Sequence, residues 1–388
     1  MPERAPVDPE HPELEPTVEI EQAGTRLLGD RRRVLTVLAA FVLLIVGIYV
    51  LLPKVVGLHD ALDRLSDPNW AWIAVALAFC VASFLAYAAL FRGILRGGEH
   101  DVDVYRRIDL SASYKITMAA RAATTLFSAA GAGGIALTYW ALRKAGMERR
   151  QAASRMIAFL VLLYTVYAAA LIVFGVLLRA GVLSGDNPVG GTIVPAAIAV
   201  VCFLIAGLFA LIPADLERRI VTIQGHPHMA RITRRLATGP ATVASGVRTA
   251  LGYIRHPRSG AEAVAGAVGY WLCMVGILWA CFHAFGGGVP MGIVIQGFFV
   301  GMVANLAPSP AAGVGTLDAG MIGAFLLFGV PSSIVFPAVF SFRIIGFWLP
   351  IVPGVIGYFQ LRRLVSEWAE DESGSAYTSV SKVTAEAK

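Results

Sequence analysis

Charge is what this chain has least of. Only 15% of its 388 residues are charged while 57% are hydrophobic, and the mean hydropathy is +0.68. A soluble domain of this length could not hide so much apolar surface, so lipid must serve as solvent for much of it. Acids are scarcer still: between Glu262 and Glu367 the single carboxylate is Asp318. The four cysteines (Cys80, Cys202, Cys273, Cys281) lie in apolar stretches without Cys-x-x-Cys or metal-ligand spacing, as small hydrophobes do. No Gly-x-Ser-x-Gly, His-Glu-x-x-His or P-loop sequence occurs, which leaves hydrolase and ATPase chemistry without support. "GHPH" at 225–228 has no acid or cysteine nearby, so neither a metal nor a cofactor is expected. The first 33 residues carry eight acids and five arginines but no apolar core, which argues against a cleaved signal peptide. Nucleic acid is excluded as a partner because no soluble domain carries the basic residues.

What remains is apolar sequence in long runs. Stretches without charge cover 34–53, 68–91, 156–178, 187–214, 263–317, 319–342 and 344–361. A helix needs about 20 such residues to cross a bilayer core of about 30 Å. The expected organisation is a disordered tail over 1–33, a membrane domain over 34–363 and a polar tail over 364–388. Lys and Arg crowd 29–33, 92–115, 143–155 and the linker 215–262, which alone holds eight arginines, whereas 283–292 has neither residue. By the positive-inside rule these groups alternate if both termini are cytoplasmic in a plasma-membrane protein.

That alternation puts both flanks of 112–146 on one side. Its two arms, about 17 and 12 residues, are short for crossings, and "AAGAGG" lies between them. A re-entrant helical hairpin fits. The region 289–329 has the same design around "NLAPSPAAGVG" and enters from the opposite side. "AAGAGGIA" (129–136) and "AAGVGTLD" (311–318) match without gaps. Inverted repeats whose broken helices meet near the midplane are a transporter architecture. The fold expected is therefore all-α: six full transmembrane helices plus two oppositely inserted re-entrant hairpins. Pro308 and Pro310 would end an arm, and Gly313 and Gly315 would permit its reversal, as Gly131 and Gly133 would in the first hairpin. Thr316 would cap the next arm, whose N-terminus suits a phosphate.

The pattern Pro-x-Pro, small residues, Gly-x-Gly, two residues and an acid, followed by "FGVPSSIVFPAVFSFRIIGFWLPIVPGVIGYF", resembles the membrane region of the lysylphosphatidylglycerol synthase family. The resemblance covers about 35–363 and implies the handling of lipids, aminoacylated phospholipids and polyprenyl-linked sugars among them. Bifunctional members carry a synthase domain beyond this region, so no aminoacyl-transferase activity is expected here. Asp318 stands where relatives usually have Glu. Ala136 and Leu160 stand where the first half of relatives often carries an acid and an arginine.

Arg343, near the middle of an apolar stretch, is a functional residue by default, and Asp318 is its obvious partner. A structural salt bridge and a head-group site, with Arg343 on a lipid phosphate, are both open. Arg121 either snorkels to the cytoplasmic surface or faces the same interior. Asn305 and Ser309 would add hydrogen bonds, and Tyr139 and Trp140 would pack or mark an interface. In the linker, Val243, Val247, Leu251 and Ile254 form a stripe with Arg248 and Arg255 off it, an interfacial helix drawn to anionic lipid. The expected function is a lipid flippase or transporter for an anionic phospholipid or lipid-linked glycan. The rivals are a membrane-embedded enzyme acting on head groups and a non-transporting partner of envelope-synthesis enzymes.

Overall fold

The computed structural model describes residues 67–96, 108–126, 132–211, 243–306 and 315–386. The tail 1–33, the expected first span 34–53, "GHPH" and both hairpin turns lie outside them. All regular structure among the described residues is helical: α1 (Trp70–Arg96), α2 (Leu110–Leu126), α3 (Ala132–Lys144), α4 (Arg149–Arg179), a 3-10 turn (Val189–Gly191) and α5 (Ile193–Ala210). There follow α6 (243–255), then α7 (Pro257–Ala284), α8 (Met291–Met302), a second 3-10 turn (Val303–Leu306), α9 (Thr316–Leu327), α10 (Ser332–Arg343), a π-helical turn (Ile344–Trp348) and α11 (Ile351–Glu386).

Five helical stretches are long and apolar enough to cross a membrane: Trp70–Leu95, Arg149–Arg179, Val189–Ala210, Gly260–Ala284 and Ser332–Trp368. They answer to the expected spans other than 34–53. The chain is a multi-pass membrane protein. α5 packs on α4 and turns the rest of its circumference outward, with Leu204 and Leu208 both about two-thirds exposed. A helix with such a face needs lipid around it.

The central pair is α1 with α7, and small residues set their separation. A Cβ placed on Gly266 would stand 2.3 Å from the Leu90 amide nitrogen, and one on Gly93 would stand 2.5 Å from that of Ala263. Backbone meets backbone there, and dispersion contacts along the whole seam replace the hydrophobic drive that lipid cannot provide.

The two hairpin regions form two pairs of short helices. α2 and α3 have 17 and 13 residues, α8 and α9 have 12 each, all shorter than a comfortable crossing. Each pair closes through glycine: Gly134 of α3 lies against Ala120 and Thr124 of α2, and Gly301 of α8 lies against Met321 of α9. Beyond that their surroundings differ. α2 and α3 share a core with α11 through Ile116, Leu137, Leu142 and Leu361. α8 and α9 belong to the main core through Phe298, Phe299, Leu317 and Phe325. The first pair is fastened to α11 by close approach of Gly354 to Met118 and Ala122. The second is fastened to α4, where Tyr167 donates to the Phe299 carbonyl, and to the first 3-10 turn, where Gln296 Nε2 donates to the Gly191 carbonyl at 2.9 Å.

The linker helix corrects the sequence expectation. α6 docks on the bundle through Ala244, Val247, Ala250 and Tyr253, all 4% exposed or less, while Ile254 is 45% exposed. Only Val247 belongs to both stripes. The small residues win because they admit contact: Gly246 presses on Ile157 and the Ser154 carbonyl, and Ser245 and Ser154 share a hydroxyl hydrogen bond of 3.2 Å. Tyr253 then donates to the Ile94 carbonyl at the end of α1 (2.7 Å), and Arg155 of α4 donates to that carbonyl at 3.1 Å and to the Tyr253 hydroxyl. Burial raises the Tyr253 phenol above its ordinary pKa, against the opposing pull of Arg155, so the hydroxyl keeps the proton it donates.

Candidate functional site

α9 begins where the backbone is forced. Gly315 has φ 88°, a conformation costly for any residue with a side chain, and it rather than Thr316 occupies the N-cap. Thr316 is the first helical residue, so the expected threonine cap is not formed. The cap comes instead from within the helix: Asp318 Oδ2 accepts the Gly315 N–H at 3.0 Å, the reach-back half of a capping box. Its other oxygen, Oδ1, takes Arg343 Nε at 2.8 Å. The carboxylate is thus held from two sides, by a helix N-terminus and by a cation.

Arg343 ends α10, and its side chain is fully buried against 10% exposure for Asp318. Its guanidinium carbon lies 4.5 Å from the centre of the Phe347 ring and 6.0 Å from that of Trp348. Both aromatics belong to the π turn that begins one residue after Arg343. This turn has a sequence cause. Leu349 donates five residues back, to Ile344 at 2.8 Å, so the Ile345 carbonyl loses its usual helical donor. Residue 350 is proline and has no N–H for the Gly346 carbonyl. Two carbonyls are thereby freed in an apolar interior, where each needs a partner. The Cys80 thiol of α1 donates to Ile345 (3.1 Å), and Arg121 of α2 donates to Gly346 (3.1 Å).

Arg121 therefore turns into the bundle and does not snorkel outward. Its Nη1 donates to the Tyr270 hydroxyl at 2.9 Å, and Met274 Sδ lies 4.0 Å from Nη2. Its guanidinium carbon stands 5.4 to 5.9 Å from the ring centres of Phe84, Tyr87, Tyr270 and Phe347. Such contacts are worth about 0.5–2 kcal/mol each, and aromatic faces here do part of what water would do for the charge. Phe347 is shared by both arginines. Asp318, Arg343 and Arg121, drawn from two different helix pairs and the last long stretch, thus form one connected group.

The other expected residues divide. Gly315 shapes the N-terminus of α9. Gly133 lies in the first turn of α3. Asn305 falls in the 3-10 turn that ends the first arm. Ser309, Pro308, Pro310, Gly313 and Gly131 lie outside the described residues. Tyr139 and Trp140 pack beside the α2–α3–α11 core. Tyr270, Phe347, Gly346 and the pair Phe84 and Tyr87 were not expected at the site. The proline four residues after Gly346 and the three-residue spacing of Phe84 and Tyr87 are the signals that point to them.

The arrangement is one buried and one half-buried guanidinium, one carboxylate and a ring of aromatics beside a broken helix end. It fits a group that is part anion and part apolar. The family model for the lysylphosphatidylglycerol synthase transmembrane region matches residues 34–354. The chain belongs to that family. Its match begins where the polar tail ends and takes in every member of the site. A search among curated proteins returns no match. As a member of the lysylphosphatidylglycerol synthase transmembrane-region family, the chain is a membrane protein of a kind that acts on lipids.

Proposed function

We propose that this protein moves lipids between the leaflets of the plasma membrane, taking an anionic phospholipid or a lipid-linked glycan by its phosphate. The observation that carries the proposal is the buried Arg343–Asp318 pair at 2.8 Å. Placing ions in lipid costs about 2.5–3.5 kcal/mol each by insertion scales, and a chain that needed only packing would have used leucine there. In the proposed cycle a lipid phosphate takes the guanidinium fork of Arg343, and Asp318 gives up its hold while keeping the α9 cap. The fork suits phosphate through paired donors. The chain has no ATP-binding motif, so movement is passive or ion-coupled. The site's single acid is engaged by Arg343 and its thiol, Cys80, is engaged by the Ile345 carbonyl, so we propose no enzymatic step.

In this proposal the short pairs α2–α3 and α8–α9 are re-entrant hairpins inserted from opposite faces, with both termini cytoplasmic. Cysteines introduced at Asp186 and Gly287, in a background lacking the four native cysteines, should react from outside the cell with an impermeant thiol reagent. One at Arg235 should not. Outside labelling at 235 would overturn the inverted arrangement. Transport itself is tested in liposomes holding the purified protein and a lipid with a fluorescent acyl chain. Quenching from outside should exceed half of the signal only if outer and inner leaflets exchange.

A further inference from the structure

Six bases crowd one corner of the bundle, where α3, α4 and α11 share a core through Ala145, Met147, Ala152, Leu361 and Val365. They are Arg143 and Lys144 in the last turn of α3, Arg149 and Arg150 in the first turn of α4, and Arg362 and Arg363 on α11. All but Arg143 are exposed, and the acids beside them are Glu148 and Glu367. The turn between α3 and α4 is fixed. Gly146 reverses the chain at φ 99°, the Met147 N–H returns to the Leu142 carbonyl at 3.1 Å, and Arg143 Nη1 donates to the Met147 carbonyl at 2.5 Å. Arg149 and Arg150 add charge where the dipole of α4 is already positive. The first turn of this 31-residue helix contains no acid, and Glu148 makes no side-chain cap hydrogen bond, so this end draws negative charge. Depth decides which anion can meet it. Arg149 lies seven residues before the charge-free run that begins at 156. At 1.5 Å per residue that is about 10 Å, against a head-group layer of about 5–8 Å. The corner therefore reaches past the head groups into water.

We infer that this corner is the docking surface for an acidic segment of the chain's own N-terminal tail, residues 8–21. "DPEHPELEPTVEIE" carries six acids and neither lysine nor arginine. The corner answers it with six bases and two acids. Tail and corner lie on the same side in the topology proposed above, on which this inference rests. Twelve residues separate Glu21 from Val34. A linker of that length reaches about 40 Å when extended, or about four helix diameters. Tethering over such a distance sets an effective concentration in the millimolar range. Each exposed ion pair is weak, so the contact depends on several acting together and fades as salt screens them. Bound there, the segment ties α3, α4 and α11 together at the foot of the pair that carries Arg121.

The test uses the full chain in nanodiscs, without its four native cysteines, carrying Leu14→Cys together with Glu148→Cys. These changes leave all six tail acids and all six bases in place. A short bismaleimide should link the two cysteines within one chain, in phosphatidylcholine discs at low salt. Raising the salt to about 1 M, where the screening length falls to about 3 Å, should slow linking about tenfold. Replacing the six acids by asparagine and glutamine should slow it equally. An undiminished rate in either case, or links only between two chains, would overturn the inference. In phosphatidylglycerol discs the link should persist, and its loss there would give the corner to lipid head groups and overturn the assignment too. Leu14→Cys with Asp186→Cys, across the membrane in the proposed topology, should not link. Linking at 186 with none at 148 would sink the topology along with the inference. No link at either position, with 186 labelled from outside and 235 protected, would sink the docking and leave the topology standing.

Discussion

Asp318→Asn alone should destabilise the protein by about 3–5 kcal/mol, the loss expected when one member of a buried ion pair is removed. Asparagine keeps the size of the side chain and can still accept the Gly315 N–H, so the cap on α9 survives in large part. What goes is the counter-charge to an arginine with no exposure at all. Arg343→Gln should cost less. The carboxylate it leaves behind sits at a helix N-terminus, where negative charge is favoured, whereas the guanidinium left by Asp318→Asn has no such dipole. Thermal unfolding of the purified variants in detergent checks the order. Arg343→Gln falling below Asp318→Asn would mean that the carboxylate, not the guanidinium, is the costly partner.

Gly266→Val should be the most damaging change away from the site. The new Cβ would meet Leu90 N at 2.3 Å and the Ala86 carbonyl oxygen at 2.7 Å, both backbone atoms that cannot turn aside. α1 and α7 would have to separate along their longest contact, at a cost beyond the usual 1–3 kcal/mol of overpacking. Gly269, one turn on, is the control: its Cβ would stand 3.4 Å from the Ala86 Cβ, an ordinary contact. Gly269→Ala should therefore be neutral or stabilising by up to about 1 kcal/mol through helix propensity. Size-exclusion profiles and unfolding midpoints should separate the two glycines. Equal tolerance at both positions would contradict the packing described.

The long elements were legible because apolar length is a direct physical requirement of a bilayer. The helices Trp70–Leu95, Arg149–Arg179, Val189–Ala210 and Gly260–Ala284 fall on apolar runs read from the sequence, and the sole acid between 262 and 367 found the sole interior arginine of its half. Choices between two neighbouring residues were less legible. Gly315 caps α9 in place of Thr316 because the chain turns there at positive φ, which a threonine resists. α6 docks by its alanines rather than its valine and leucine stripe because packing against another helix rewards small surface, which hydropathy does not score. Arg121 faces inward because of two distant causes, the π turn after Arg343 and the missing N–H of Pro350. Such a cause appears only once the helices are side by side.

The head-group role of the Arg343–Asp318 pair is tested most directly by the double variant Asp318→Asn with Arg343→Gln. Replacing both ions leaves neither member of the pair behind as a lone charge, so the protein should fold and reconstitute like the unmodified chain. If the guanidinium holds a lipid phosphate, this folded protein should fail to exchange fluorescent phosphatidylglycerol between liposome leaflets. Arg343→Lys should also be slowed, because a point charge does not reproduce the fork. The expected result is a correctly folded, inactive double variant; transport at the unmodified rate would show the pair to be structural and contradict the account.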